Sequence, residues 1–291
     1  MIKKNLPKLI ITSLVILIPI LIGLILWDKL PDQVPIHWDV NGAVDGYANK
    51  MQAVFVMPLV LVAFQWICVL GTLLDPKRQN INDKMFTLVL WIIPVISLLC
   101  NSMVYATALG HKVSVEIIMP LFMGALFVII GNYMPKCKQS YTMGIKLPWT
   151  LNDEENWNKT HRFAGKCWMV GGIGIALCGL LPHLWAVTIM LAGILVLVLL
   201  PVIYSWRYYK KQASEGKVPE KATYPTTKWS KNYRNVSIIL VAIILVFITV
   251  IMFTGDISVS FGESTFTLEA TYWERLEVPY STVEEIVYVE D

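Results

Sequence analysis

Seven apolar runs dominate the pattern of hydrophobic and polar positions along the chain. A transmembrane α-helix needs about 20 predominantly apolar residues, and each run comes close to that length. The runs occupy residues 9–27, 53–74, 85–109, 115–130, 165–181, 184–204 and 236–253. Only Pro182-His183 separates the fifth run from the sixth, which predicts a tight helical hairpin. The pattern therefore predicts an all-α polytopic membrane protein with about seven transmembrane helices.

The segment at residues 131–172 begins where the fourth run ends and is far more polar than the runs around it. It is crowded with Trp, Tyr, Asn, Thr, His and Lys, which a simple connecting loop would not need. Gly131 and Pro135 are predicted to end the preceding helix. Pro148 is predicted to hold Leu147 in extended backbone, because the proline ring disfavours the α region for the residue before it.

A new helix is predicted to begin inside this segment. Asn152 is a preferred N-cap residue, and Glu155 three positions later can complete a capping box. Aromatic, polar and small residues then recur at helical spacing, at Trp157, Thr160/His161, Ala164, Trp168 and Gly171/Gly172. This periodicity predicts an amphipathic helix at the membrane interface that continues into the fifth span.

The loop at residues 28–52, between the first two runs, carries signals of a short β element. Apolar side chains alternate along it, at Val34, Ile36, Trp38 and Val40. The dipeptides Asn41-Gly42 and Asp45-Gly46 favour turns, so Gly46-Tyr47 is predicted to start a returning strand.

The tail at residues 255–291 changes character again and is predicted to form a small β element. Strand-like composition occurs at residues 256–261, 265–270 and 285–289. Gly262 and the stretch around Pro279 are predicted to separate these strands.

Composition and charge placement support a membrane location and give the chain an orientation. The mean hydropathy is +0.58 and 56% of the residues are hydrophobic, well above the usual level for a soluble domain. Of the 24 Lys and Arg, 20 fall in the N-terminal stretch and in alternate loops, which predicts that these parts face the cytosol. The protein is thus predicted to be a multi-pass cell-membrane protein with a cytosolic N-terminus and an extracytoplasmic C-terminus.

These features divide the chain into five predicted parts. An N-terminal membrane domain is followed by a second membrane domain that contains a cytosolic loop at residues 131–164. A basic cytosolic linker, a last transmembrane helix and the extracytoplasmic β-rich tail complete the chain. The five parts are predicted to span residues 1–110, 111–210, 211–235, 236–254 and 255–291.

The motifs of common enzymes are absent from the sequence. It contains no G-x-S-x-G, no H-E-x-x-H and no G-x-x-x-x-G-K. Glu155 and His161 are six positions apart and so lie on different sides of a helix, which argues against an acid–base pair. The five cysteines form no C-x-x-C pair and no metal-ligand spacing. The chain is therefore predicted not to be an enzyme, with no cofactor, no metal and no direct nucleic-acid binding.

Acidic residues and a histidine in the loop at residues 28–52 leave two interpretations open. His37, Asp39 and Asp45 could bind an ion or ligand, or His37 and Asp39 could form an ordinary polar pair on one face of a strand. The spacing does not match the EF-hand loop, which requires Gly at its sixth position and Glu at its twelfth.

The motifs resemble those of a known family of bacterial membrane proteins. The chain reads G-N-Y-M-P-K from Gly131, G-I-K-L-P-W-T-L from Gly144 and W-N-K-T-H-R from Trp157. These residues resemble the signature of the SdpI family, with Lys146-Leu147 in place of the usual Arg-Thr. The stretch from Leu30 to Tyr47 resembles the L-P-x-x-[IV]-P-x-H-[WF] pattern of a small uncharacterised domain often found ahead of SdpI segments.

This resemblance implies the function of an immunity protein. Proteins of the SdpI family protect cells that secrete a membrane-active peptide toxin, and a family member also recruits a cytosolic transcriptional repressor to the membrane. The implied partners are therefore the toxin, such a repressor and the lipid bilayer.

The resemblance also selects candidate functional residues. Those in the signature are Asn132, Pro135, Trp149, Thr150, Glu155, Trp157, Thr160 and His161. Those in the loop at residues 28–52 are His37, Trp38, Asp39 and Asp45. Packing and capping of the segment is the alternative role for the signature residues. A small-molecule or peptide transporter and a membrane enzyme acting on lipid or toxin are the alternative functions.

Overall fold

Six long helices form the greater part of the computed structural model, which describes residues 2–39, 42–218, 220–221, 257–270 and 276–283. They are α1 (Ile2–Ile25), α2 (Met57–Leu73), α3 (Asp83–Ala108), α4 (Val115–Tyr133), α6 (Glu154–Leu177) and α7 (His183–Ser214), with the short α5 (Pro148–Asn152) between α4 and α6. All six long helices of the described part are long and apolar enough to cross a membrane. The predicted all-α polytopic class is confirmed, and the seventh predicted run, 236–253, lies outside the described residues.

The junction of α6 and α7 agrees with the prediction of a tight hairpin. A 3-10 turn, Cys178–Leu180, follows α6, and α7 begins at His183. The amphipathic stretch and the fifth span also form one continuous helix, α6, as the periodicity predicts. The last helical turns of α7 extend beyond the predicted run, so that the helix ends at Ser214, inside the predicted basic linker.

The helix α6 begins one residue later than predicted. Asp153, not Asn152, is its N-cap, and the Asp153 carboxylate accepts hydrogen bonds from the backbone N–H groups of Glu155 and Asn156. Asn152 is instead the last residue of α5, the short helix that Pro148 opens. Leu147 is extended, with φ −109° and ψ 155°, as expected for a residue before proline.

Glycines allow α4 and α6 to pack backbone to backbone. A Cβ on Gly131 would lie 2.9 Å from the Gly165 carbonyl oxygen, and a Cβ on Gly124 would lie closer still to that of Gly172. The prediction that Gly131 ends the helix is wrong, because α4 continues to Tyr133. Gly131 instead serves close helix packing, which in membranes relies on small residues at the contact.

Buried hydrogen bonds connect the first three helices. The Gln65 side chain of α2 donates to the Thr12 hydroxyl of α1 over 2.6 Å. The Ser97 and Tyr105 hydroxyls of α3 donate to backbone carbonyls of α1, over 3.0 and 2.9 Å. Such bonds satisfy polar groups that the hydrocarbon core of a bilayer cannot solvate.

A two-stranded antiparallel hairpin follows α1, in agreement with the predicted β element. It consists of β1 (Gln33–Trp38) and β2 (Val44–Asn49). The predicted regular alternation is interrupted, because the register shifts at His37. Val34 is buried while Ile36 is largely exposed, and Val40 lies outside the described residues.

The second compact unit of the chain, residues 227–291, contains a three-stranded antiparallel sheet. Its strands are β3 (Ile257–Phe261), β4 (Thr265–Ala270) and β5 (Leu276–Pro279), in the order β3-β4-β5. The first two strands and the break at Gly262 agree with the prediction. β5 was not predicted, since Pro279 was interpreted as part of a break. The predicted strand at residues 285–289 lies outside the described residues.

Candidate functional site

His161 lies at the centre of the signature segment, which we define as residues 131–164. The imidazole is fully buried, and its Nε2 accepts a hydrogen bond from the Ile145 backbone N–H over 2.9 Å. Because that N–H can only donate, Nε2 carries a lone pair. The proton is therefore on Nδ1, which donates to the Trp157 carbonyl oxygen over 2.7 Å. As a neutral ring, His161 thus connects the loop at residues 137–147, which precedes α5, to α6.

Trp157 completes this contact between the loop and α6. Its side chain is also fully buried, and its ring stacks on the His161 ring with centroids 4.1 Å apart. The indole N–H donates to the Cys137 carbonyl oxygen over 2.7 Å. Burial raises the pKa of the Cys137 thiol to about 11, so this group is protonated at neutral pH and a poor nucleophile.

Gly144 contributes to the same contact and was not among the predicted site residues. Its φ is +108°, a conformation that favours glycine. A Cβ there would lie 2.5 Å from the His161 Nε2 and 2.7 Å from the Trp157 ring. The available sequence signal was its place at the start of the G-I-K-L-P-W-T-L motif.

A second buried network joins α5, α6 and α7. The Trp149 indole N–H donates to the Ser205 hydroxyl over 2.5 Å, and that hydroxyl donates to the Asn156 side-chain oxygen over 3.2 Å. The Thr160 hydroxyl donates to the same oxygen over 2.9 Å. Asn156 in turn donates to the Ser205 carbonyl over 3.1 Å. Sequence reasoning selected Trp149 and Thr160 but missed Asn156 and Ser205. Ser205 was missed because it is remote in sequence.

Thr150 organises the start of α5. Its hydroxyl accepts a hydrogen bond from the Leu147 backbone N–H over 2.9 Å and donates to the Ile145 carbonyl over 2.8 Å. The side chain is fully buried. Thr150 therefore holds the turn that presents the Ile145 N–H to His161.

Three of the predicted signature residues lie outside these networks. Asn132 and Pro135 are exposed, although the Pro135 ring lies close to the backbone of Gly165 on α6. Glu155 is exposed and forms a surface ion pair with Lys159 over 2.9 Å. Glu155 also accepts a hydrogen bond from the Tyr208 hydroxyl over 2.7 Å. Glu155 is not a partner of His161, in agreement with the prediction from their spacing of six positions.

Asp75 attaches the loop between α2 and α3 to the signature segment. One carboxylate oxygen accepts from the backbone N–H groups of Tyr141 and Thr142, each over 2.9 Å, and from the Thr142 hydroxyl over 2.7 Å. The other oxygen accepts from the Lys77 backbone N–H over 2.8 Å. Asp75 is only 2% exposed. The pKa of Tyr141 is raised by burial and by the nearby charge of Asp75. Sequence reasoning placed Asp75 only at the end of an apolar run.

The candidate residues of the hairpin β1–β2 lie around a separate cavity of about 470 Å³. His37 Nδ1 is 2.6 Å from an Asp45 carboxylate oxygen. Of the two interpretations left open by the sequence, the one that pairs His37 with Asp39 is not observed, because the irregular register sets His37 opposite Gly46, next to Asp45. The Asp39 carboxylate instead accepts from the Ala43 backbone N–H over 2.8 Å and stabilises the turn.

No group of three or more His, Cys, Asp and Glu side chains placed to hold a metal ion occurs in the described part of the chain. His37, Asp39 and Asp45 of the hairpin all line the cavity. The two sets of candidate residues form different structures. The signature set is mostly a buried scaffold, whereas the hairpin set lines open space.

Comparison with known proteins identifies two regions of the chain. Residues 136–205 match the SdpI/YfhL protein family, and residues 14–62 match a domain of unknown function, DUF1648. The chain is 27% identical over 213 residues to a protein named Immunity protein SdpI from Bacillus subtilis (strain 168), covering 72% of this chain and 97% of that protein. No solved structure matches the chain. The resemblance inferred from the motifs is thereby confirmed.

Proposed function

This membrane protein carries an SdpI/YfhL-family segment behind a DUF1648 domain, and we propose that it protects its cell against a secreted, membrane-active peptide toxin. The observation that carries the proposal is the similarity to the immunity protein, which extends over 97% of that protein's length. A similarity over 213 residues extends well beyond residues 136–205, which match the family model.

The proposed division of roles follows from the two kinds of site. The cavity beside the hairpin contains open space, so it is the part suited to meet the toxin. The signature segment is closed by the contacts of His161, Trp157 and Asp75, so its proposed role is to hold the helices in the resistant arrangement. A cytosolic transcriptional repressor is the second partner that we propose. Its proposed contact is with the exposed Lys and Arg side chains of the signature segment.

The proposed orientation has the N-terminus in the cytosol. It rests on the 20 of 24 Lys and Arg in the predicted inner loops. Contacts between these parts of the chain support a common side. Near the start of α1, the Lys8 side chain donates to Thr87 near the start of α3 over 2.8 Å, and Asp75 accepts from the backbone at residues 141–142.

Labelling of single cysteines tests this orientation. With the five native cysteines replaced by alanine, Tyr47→Cys and Lys138→Cys each place one thiol at an exposed site. A membrane-impermeant maleimide is expected to label Tyr47→Cys in intact cells and Lys138→Cys only after the membrane is permeabilised. The reverse pattern would invert the proposed topology.

Survival of toxin-sensitive cells tests the proposed function. Expression of the native chain in a sensitive Gram-positive strain is expected to raise the lethal concentration of at least one member of a panel of secreted peptide toxins. The His161→Ala variant is expected to lose this protection, because the Ile145 N–H then has no acceptor. Asn158→Ala, an exposed position on the same helix, is the matched control and should protect fully.

Membrane insertion of each variant is measured by fractionation and immunoblotting, so that loss of protein is separated from loss of protection. Absence of protection by the native chain across the panel would reject the immunity function. Full protection by an inserted His161→Ala variant would reject the role assigned to the signature segment.

A further inference from the structure

The cavity beside the hairpin is assembled from three parts of the chain that are far apart in sequence. The hairpin supplies His37, Asp39 and Asp45, the first turns of α4 supply Glu116 and Met119, and α7 supplies Met190. Its volume of about 470 Å³ falls within the range of about 300–1,000 Å³ that is usual for small-ligand sites.

A tight turn keeps the hairpin against α4. Gly42 has a φ of +73°, and a Cβ on it would lie 3.2 Å from a Glu116 carboxylate oxygen. The Gly42 N–H donates to the Asp39 carbonyl over 3.0 Å, which closes the turn. Acidic residues of two separate elements, the hairpin and α4, thus line the same cavity.

The charged residues that line the cavity are predominantly acidic. Three acidic residues line it, Asp39, Asp45 and Glu116, and no Lys or Arg is found among the described residues that line it. His37 Nδ1 lies 2.6 Å from an Asp45 carboxylate oxygen. Glu116 is half-buried and forms no hydrogen bond or ion pair with any residue in the described part of the chain. A half-buried carboxylate of this kind is best stabilised by a cation.

The rest of the cavity lining is apolar and adaptable. It includes Met119 and Pro120 of α4, Val187 and Met190 of α7, and Trp38 of the hairpin. Methionine side chains are flexible and polarisable, and they are common on surfaces that accept varied apolar groups. A ligand that fits both the acidic and the apolar residues has a positive head on an aliphatic stem, as Lys and Arg side chains do.

We propose that this cavity binds a Lys or Arg side chain of a peptide, with the cationic head at Glu116 and Asp45 and the stem on Met119 and Met190. Charge complementarity selects this occupant, because the acidic residues attract a cation and the apolar residues around them disfavour a fully hydrated one. The proposal rests on the immunity function in one respect, namely that the peptide is the toxin. The cavity is then the place where the toxin is recognised.

Binding of matched peptides to the full-length protein tests the site directly. The probes are dye-labelled Ala-Leu-Lys-Leu-Ala, blocked at both ends, and the same peptide with norleucine in place of Lys. Fluorescence anisotropy is measured with the protein in nanodiscs of zwitterionic lipid, and protein-free nanodiscs give the background. The Lys peptide is expected to bind about tenfold more tightly than the norleucine peptide, and less so at high salt.

Charge-neutral variants locate the binding. The combined variant Asp45→Asn and Glu116→Gln is expected to lower the affinity for the Lys peptide to that for the norleucine peptide. Glu215→Gln removes a carboxylate just after the other end of α7 and should bind as the native chain does. Equal binding of the two peptides to the native chain, or unchanged binding by the combined variant, would overturn the proposal. Elution volume in size-exclusion chromatography confirms that the variants are folded.

The survival assay separates this proposal from the proposed function. If the native chain protects cells and the combined variant protects them equally, the cavity is not the toxin site and the immunity function stands. If the native chain gives no protection, the immunity function fails, and peptide binding still decides whether the cavity accepts a cationic side chain.

Discussion

Replacing Trp157 by alanine is expected to destabilise the protein more than any other single truncation in the signature segment. The indole is fully buried, stacks on His161 with a centroid distance of 4.1 Å and donates to the Cys137 carbonyl over 2.7 Å. Truncation of a buried Trp leaves a cavity and costs about 3–5 kcal/mol. It also removes the surface that holds the His161 ring in place for the Ile145 N–H.

Thermal stability of the detergent-purified protein measures this effect. The midpoint temperature for loss of the monodisperse size-exclusion peak should fall strongly for Trp157→Ala, and protection of cells should be lost. Trp157→Phe keeps most of the apolar volume and loses the hydrogen bond, so an intermediate decrease is expected. Trp185→Ala is the matched control, because Trp185 is 63% exposed in the bundle and its removal should change little. A midpoint for Trp157→Ala equal to that of Trp185→Ala would contradict the buried role.

Replacing Asp75 by alanine is expected to release the signature segment from the loop between α2 and α3. Four hydrogen-bond donors would lose their acceptor: the N–H groups of Lys77, Tyr141 and Thr142 and the Thr142 hydroxyl. A hydrogen bond to a charged group contributes about 1.5–3 kcal/mol, and water that enters the space left by the truncated side chain can replace part of this. The expected loss is roughly 2–4 kcal/mol of stability.

Asp75→Asn separates geometry from charge. The amide oxygen can serve either the three donors on the signature segment or the Lys77 N–H, but its NH₂ group can accept from neither. The stability order is therefore expected to be native, then Asn, then Ala. Asp28→Asn is the control, since this acid lies on the 3-10 turn that follows α1, away from the signature segment. Limited proteolysis within residues 137–147 reports the release, and equal cleavage of native and Asp75→Ala protein would contradict the anchoring role.

Sequence reasoning succeeds for most of the signature set. The signature set was selected as one group of motif residues, and Trp149, Thr150, Trp157, Thr160 and His161 do enter connected buried networks. Residues close in sequence on one helix face are brought together by local periodicity alone. Asn132 and Pro135 belong to the same motifs and Glu155 lies between two of them, yet all three are exposed and serve other contacts.

The partners contributed by other helices could not be obtained in this way. Ser205 and Asp75 each contact the signature segment from a distant part of the chain. Glu116 reaches the hairpin cavity only because α4 starts beside the turn at Gly42. With one sequence, nothing links such residues before the helices are packed.

By itself the sequence determined the membrane-spanning class, the hairpin after α1, the break at Gly262 and the family resemblance. Each of these follows from local signals, because hydrophobic runs, turn residues and motif spacing act over a few residues at a time. Only the tertiary structure decided that Gly131 packs against α6, that His37 pairs with Asp45 and that Asp75 anchors the signature segment. These contacts depend on helix approach, strand register and the burial of polar groups, which are set when distant segments pack together.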